Sequence, residues 1–157
     1  LKALAAQKDI ESHRAAIAQL ESRTDESDAR ARQLAANIET LTAQNAERAA
    51  QIETIRAVHD YLTQHLSSRV TIDELSRRFL MNPSTMKALF KSVYGSSLAS
   101  HIREHRMQHA AKLLLEGDEN VAQVARAVGY ESQSKFSTEF HKAFGVLPTE
   151  YRKSQKK

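Results

Sequence analysis

Apolar positions recur at helical spacing along most of the chain, and no stretch alternates with a period of two, so the pattern predicts an all-α protein. Over residues 3–55 the repeat is seven. The a positions include Ile10, Ile17, Ile38, Asn45 and Ile52, and the d positions include Leu20, Leu34 and Leu41. Ile at a with Leu at d favours a parallel two-stranded coil, and a lone Asn at a fixes its register. These eight residues are the expected dimer seam. His13, Thr24, Ser27 and Arg48 occupy the same frame and are poor core residues, so such a coil is weak alone. The polar run at 23–28 (RTDESD) leaves a rival, a turn that would fold the segment into an antiparallel hairpin. Residues 1–82 contain no Gly or Pro and the heptad phase survives the run, so a continuous helix is expected. A solvated single helix remains open.

Beyond residue 55 the chain is punctuated. Ile55, Val58, Tyr61, Leu62 and Leu66 carry the first helix of a second region. Glycine tends to follow a helix and proline to open one. Thr71 can cap a helix over about 72–79, and Asn82-Pro83 opens another that runs to Gly95. Ser96 or Ser97 opens a longer helix ending at Gly117. Asn120 opens one that stops at Gly129, a further helix runs from about Ser132 to Gly145, and Pro148 starts a last short turn. The expected domains are a long helix over 1–54, a compact all-α domain over 55–153 with about seven helices, and a basic tail over 154–157.

Two segments of that domain repeat. With an offset of 49, Ile72, Leu75, Ser76 and Phe79 fall on Val121, Val124, Ala125 and Val128. With an offset of 50, Met86, Phe90, Tyr94 and Gly95 fall on Phe136, Phe140, Phe144 and Gly145. Each copy, 72–95 and 121–145, is a short helix, a tight turn and a second amphipathic helix. This is the helix-turn-helix layout, whose second helix enters the DNA major groove. Ser76 and Ala125 are small where two helices must cross closely. Gly129 supplies the second turn, whereas Leu80 stands at the equivalent place in the first.

The blocks VTIDELSRRF, NPSTMKALFKSVYG, RxxRMQHAAKLLLEG and VAQVARAVGYESQSKFSTEFHKAFGVLPTEYR resemble the DNA-binding domain of AraC/XylS transcription regulators over about residues 55–153. The last block, with its G-Y…S…F…F…FG…P…YR skeleton, is the most specific. Leu80 departs from the family's first-turn glycine, and Glu131 stands where Ser often precedes the second recognition helix. The coil-like segment stands where the family usually has a ligand-binding domain. The resemblance implies a double-stranded DNA partner and, for an activator, RNA polymerase.

In the first recognition helix Met86, Leu89, Phe90 and Val93 follow the i, i+3, i+4, i+7 pattern and are expected in the core. In the second, Phe136, Phe140, Ala143 and Phe144 are expected there. The resemblance places base readers at the N-terminal outer positions, here Ser84, Lys87 and Ala88, then Gln133, Ser134, Lys135 and Thr138. Gln suits an adenine edge, Lys suits guanine O6/N7, and a Thr methyl suits a thymine methyl. Lys91, His141 and the helix starts at Thr71, Asn82 and Asn120 suit phosphates, which position a protein without reading sequence.

Charge sharpens this division. Residues 1–52 hold seven Lys/Arg and eight Asp/Glu, leaving 16 of the chain's 23 cations and 11 of its 19 anions beyond residue 52. The basic excess suits a polyanion partner there. Zero cysteines exclude disulfides and thiolate metal sites and fit a reducing cytoplasm. No apolar run suits a membrane span. His101, His105 and His109 lie at i, i+4, i+8 but border the apolar arc of Leu98, Ile102 and Leu113, and are expected to pack there rather than bind metal. No phosphate loop or catalytic set is visible, so neither an enzyme nor a cofactor is expected. The competing reading is an interaction or scaffold protein, or an engineered fusion, in which the coil acts and the helical domain is passive.

Overall fold

A computed structural model describes residues 2–155. The side chains of Lys2, Ala3, Ala5 and Gln155 fall outside the described residues, as do Lys156 and Lys157 of the tail. Among the described residues there are seven helices and no strand: α1 (Lys2–Gln64), α2 (Ile72–Arg78), α3 (Pro83–Tyr94), α4 (Leu98–Glu116), α5 (Val121–Ala127), α6 (Gln133–Phe144) and α7 (Pro148–Gln155). The chain divides into two compact units, Leu1–Ala49 and Ala50–Lys157.

In the first unit α1 passes through residues 23–28 unbroken, which excludes the hairpin turn. Nothing in that run stops a helix, because its acids are solvated and no glycine or proline follows. Thr24, Thr40 and Thr42 return their hydroxyls to carbonyls four residues back, at 2.7–2.9 Å, which satisfies the side chains without leaving the helix. Along it Ile10, Ile17, Leu20, Leu34, Ile38 and Leu41 stay 51–65% exposed, and Asn45 is exposed as well.

The second unit has two cores. Ile55, Val58 and Leu62 from the last turns of α1 close against Leu75, Met86 and Phe90, all buried, with Leu98 and Ile102 of α4 at the edge. Met107, Ala110, Ala111 and Leu114, further along α4, meet Val124, Ala125, Val128, Phe136 and Phe140 in the second core. One helix therefore serves both repeats. Burying each such large side chain contributes roughly 1.5–3 kcal/mol. Leu66 is only half-buried, and Ile52, expected in the dimer seam, is half-buried within this unit.

Two expected core residues are not in the core. Val93 is 38% exposed and Ala143 is exposed. They occupy the same place in the two copies, and the cause is shared. The last turn of α3 is covered from the Tyr94 side, where that ring stacks on His59 at 4.6 Å and lies tilted against Phe90 at 4.7 Å. The last turn of α6 is covered from the Phe144 side, where Phe140 and Tyr151 lie 4.6 and 5.2 Å away. Pro148 opens a full helix rather than a short turn, and Tyr151 on that helix is the covering residue.

The two turns share a backbone. Tyr130 N–H donates to Ala125 C=O at 2.9 Å and Met81 N–H donates to Ser76 C=O at 3.2 Å, the six-residue closure of a Schellman motif. That closure needs a left-handed residue just before its last position. Gly129 adopts it with φ +84°, and Leu80 adopts it with φ +50°. The first turn gains a further bond, because Ser76 Oγ donates to Met81 C=O at 2.5 Å. Ala125 has no hydroxyl to do this. The first unit thus closes its turn without glycine by adding a side-chain tether.

Candidate nucleic-acid interface

Each recognition helix starts on a capped, solvent-facing turn. Asn82 Oδ1 accepts from Ser84 N–H at 2.8 Å ahead of Pro83, and Ser132 Oγ accepts from Lys135 N–H at 3.4 Å. The buried stripe of α3 (Met86, Phe90) and that of α6 (Phe136, Phe140) fix which face points out. On that face Ser84, Lys87 and Ala88 are all exposed, as are Gln133, Ser134, Lys135 and Thr138. Thr138 Oγ1 donates to Ser134 C=O at 3.0 Å, so its hydroxyl is engaged and its methyl is the free group. Lys91 and His141, one turn further along, are exposed too.

The three helix starts differ electrostatically. Thr71 sits in a capping box: its N–H and Oγ1 both donate to Glu74 Oε2, at 2.7 and 2.9 Å, and Glu74 N–H returns to Thr71 Oγ1. The Thr71 backbone bond, then its hydroxyl, hold the Glu74 carboxyl below its ordinary value. A carboxylate therefore already occupies the anion-favouring end of α2. Asn120 forms the same box with Gln123, a neutral amide, at 2.8–2.9 Å. Glu139 fastens α6 to α4 through Arg103 at 3.4 Å and also pairs with Lys142 at 2.8 Å. The Lys142 hydrogen bond is the main cause of its lowered carboxyl pKa.

Reading the sequence missed a basic cleft beside the second turn. Arg69, Arg106 and Arg126 line it with Lys135, Tyr130 and Ser132, and Glu131 is the one acid there. Arg69 lies in the connection after α1, Arg106 in α4 and Arg126 at the end of α5, so their only sequence signal was the regional excess of cations. Arg106 is the anchor. Its Nη2 donates to Ser68 C=O at 3.0 Å, its guanidinium lies over the Tyr130 ring at 5.9 Å, and its Nε is buried without a protein partner. Burial pushes the Arg106 guanidinium below its ordinary value and pushes the Tyr130 phenol above its own.

The histidines are arranged differently from their spacing on α4. His101 and His105 face each other, Nε2 to Nε2, at 3.1 Å. Their companion is His59 of α1, with ring centroids 5.0 and 5.6 Å from theirs, and His109 is not part of the group.

Known proteins share this architecture. The helix-turn-helix domain family matches residues 75–154. The probable transcriptional regulator LumQ of Photobacterium leiognathi is 34% identical over 95 residues, which is 60% of this chain and 38% of LumQ. The virulence regulon transcriptional activator VirF of Yersinia enterocolitica is 36% identical over 81 residues, 52% of this chain and 30% of VirF. The chain thus spans about a third of the length of these two relatives. The DNA-binding domain of AdpA, a global transcriptional factor solved in complex with a target DNA, superposes with a TM-score of 0.61 at 26% identity, over 64% of this chain and 90% of that one. No described helix is long and apolar enough to cross a membrane. With the repeated capped turns, the shared α4 and the matched family all in the same region, the chain belongs to the AraC-type helix-turn-helix family and carries that family's DNA-binding domain.

Proposed function

We propose that this chain is a sequence-specific duplex-DNA-binding transcription regulator, an activator that works through RNA polymerase. It presents α3 and α6 to successive major-groove segments on one DNA face, about one helical turn apart. The observation that carries this reading is the recurrence, in two copies, of an exposed polar helix start above a fully buried aromatic or Met stripe. Gln133, Ser134, Lys135 and the Thr138 methyl read bases from α6, and Ser84, Lys87 and Ala88 read from α3. Phosphates are held by Lys91, His141 and the helix starts at Asn82 and Asn120, with Arg69 and Arg126 of the basic cleft added. Thr71 contributes least, because Glu74 repels a phosphate there.

The exposed stripe from Ile10 to Leu41 supports a homodimer through α1, with Asn45 setting a parallel register. A dimer doubles a modest half-site. The same stripe also supports the second reading, a coil-driven interaction protein with a passive helical domain. Selection of bound duplexes from a random pool separates the two. A consensus should emerge, Lys135→Ala should relax it at one position by about 1–3 kcal/mol, and Lys91→Ala should weaken all duplexes alike and lower the salt slope by about 1. No consensus, with binding equal to that of any similarly basic domain, overturns the proposal.

A further inference from the structure

We infer that His59, His101 and His105 form a binding site for a divalent transition-metal ion of the zinc type, one that ties the end of α1 to the start of α4. The three offer one ligand atom each, and these atoms all lie within 4.8 Å of one another. A tetrahedral zinc site with Zn–N bonds of about 2.0–2.1 Å places its donors about 3.3–3.4 Å apart. The His101–His105 pair, at 3.1 Å between Nε2 atoms, already spans one such edge. The spacing i, i+4 on one helix is what puts both imidazoles on one side of the ion. His59 has to approach by at most about 1.4 Å, a ring rotation for a half-buried side chain.

The surroundings suit a cation. Asp60 Oδ1 lies 3.1 Å from His59 Nδ1, a carboxylate–imidazole contact that would leave Nε2 for the metal and fix the tautomer. Glu104 on α4 also acts on His101 through its charge. Three imidazoles leave the fourth position to water or an exogenous ligand. The ion's reach extends into the first repeat, because His59 stacks on Tyr94 and His101 lies 5.3 Å from Phe90, both on α3. A bound ion would therefore brace the C-terminal end of the first recognition helix.

The test is calorimetric titration of the full chain with Zn²⁺, repeated on single variants. A single site is expected, weakened about tenfold or more by His59→Gln, His101→Gln and His105→Gln, and unchanged by His109→Gln. Imidazole NMR on the unaltered chain covers the case in which a variant unfolds. Zn²⁺ should shift the His59, His101 and His105 resonances together and leave His13, His65, His109 and His141 in place. Absence of Zn²⁺ binding, binding indifferent to all three variants, or shifts centred on other histidines overturns the site.

Discussion

Leu80→Gly should stabilise this protein, although it removes a large apolar side chain. Leu80 holds φ +50° in the first turn, a left-handed conformation that costs an ordinary residue roughly 1–2 kcal/mol. Its side chain is 92% exposed, so truncation forfeits almost no burial. Glycine brings its own penalty of about 0.5–1 kcal/mol in chain entropy. The difference is a net gain of about 0.5–1 kcal/mol, a rise of about 0.3–0.5 M in the urea midpoint with an unchanged slope. Gly129→Ala is the mirror experiment. There a Cβ would meet Leu66 C=O at 2.7 Å and the Arg106 guanidinium at 3.0 Å, on top of φ +84°. Relief would pull Arg106 off Ser68 C=O, so a loss of about 2–3 kcal/mol is expected. Tyrosine fluorescence reads both, since Tyr61, Tyr94, Tyr130 and Tyr151 all lie in the second unit. A lower midpoint for Leu80→Gly, or an undiminished one for Gly129→Ala, would show that the two turns do not share this backbone constraint.

The proposed dimer seam is open to a similar test: Leu34→Lys with Ile38→Lys should convert a concentration-dependent dimer into a monomer in sedimentation equilibrium, and an unchanged mass would remove α1 as the interface. The Glu74 capping box makes a pH prediction. Its carboxyl pKa is lowered in the folded state, so its contribution is complete above the ordinary glutamate range and disappears as pH falls through the lowered value. Glu74→Gln should therefore flatten the acid limb of the stability curve, and an acid limb identical to the parent's would count against the box.

Much of the fold is legible in the sequence because its boundaries are written in caps. Asn82-Pro83, Ser97, Asn120 and Ser132 open helices where expected, and Gly95, Gly117 and Gly145 close them. Internal repetition supplied the pairing of α2–α3 with α5–α6. The misses are all facts about neighbours. A helical wheel puts Val93 and Ala143 inside, yet it cannot say that the end of each recognition helix is covered only from the Tyr94 and Phe144 side. Spacing put His101, His105 and His109 on one line of α4, but that His59 of α1 joins the first two depends on how α1 packs. Arg69, Arg106 and Arg126 come from three separate segments, so no local pattern could gather them into one cleft. The tether from Ser76 to Met81 C=O was hidden because a serine there reads simply as a small residue.

The proposed function has two recognition helices, fixed to one shared helix, read one face of duplex DNA. It is tested most directly by measuring affinity for a selected duplex before and after inserting half a helical turn between its two contacted segments. The insertion should drop binding to the level of random DNA, because α3 and α6 can no longer reach their segments together. Affinity unchanged by the insertion would contradict it.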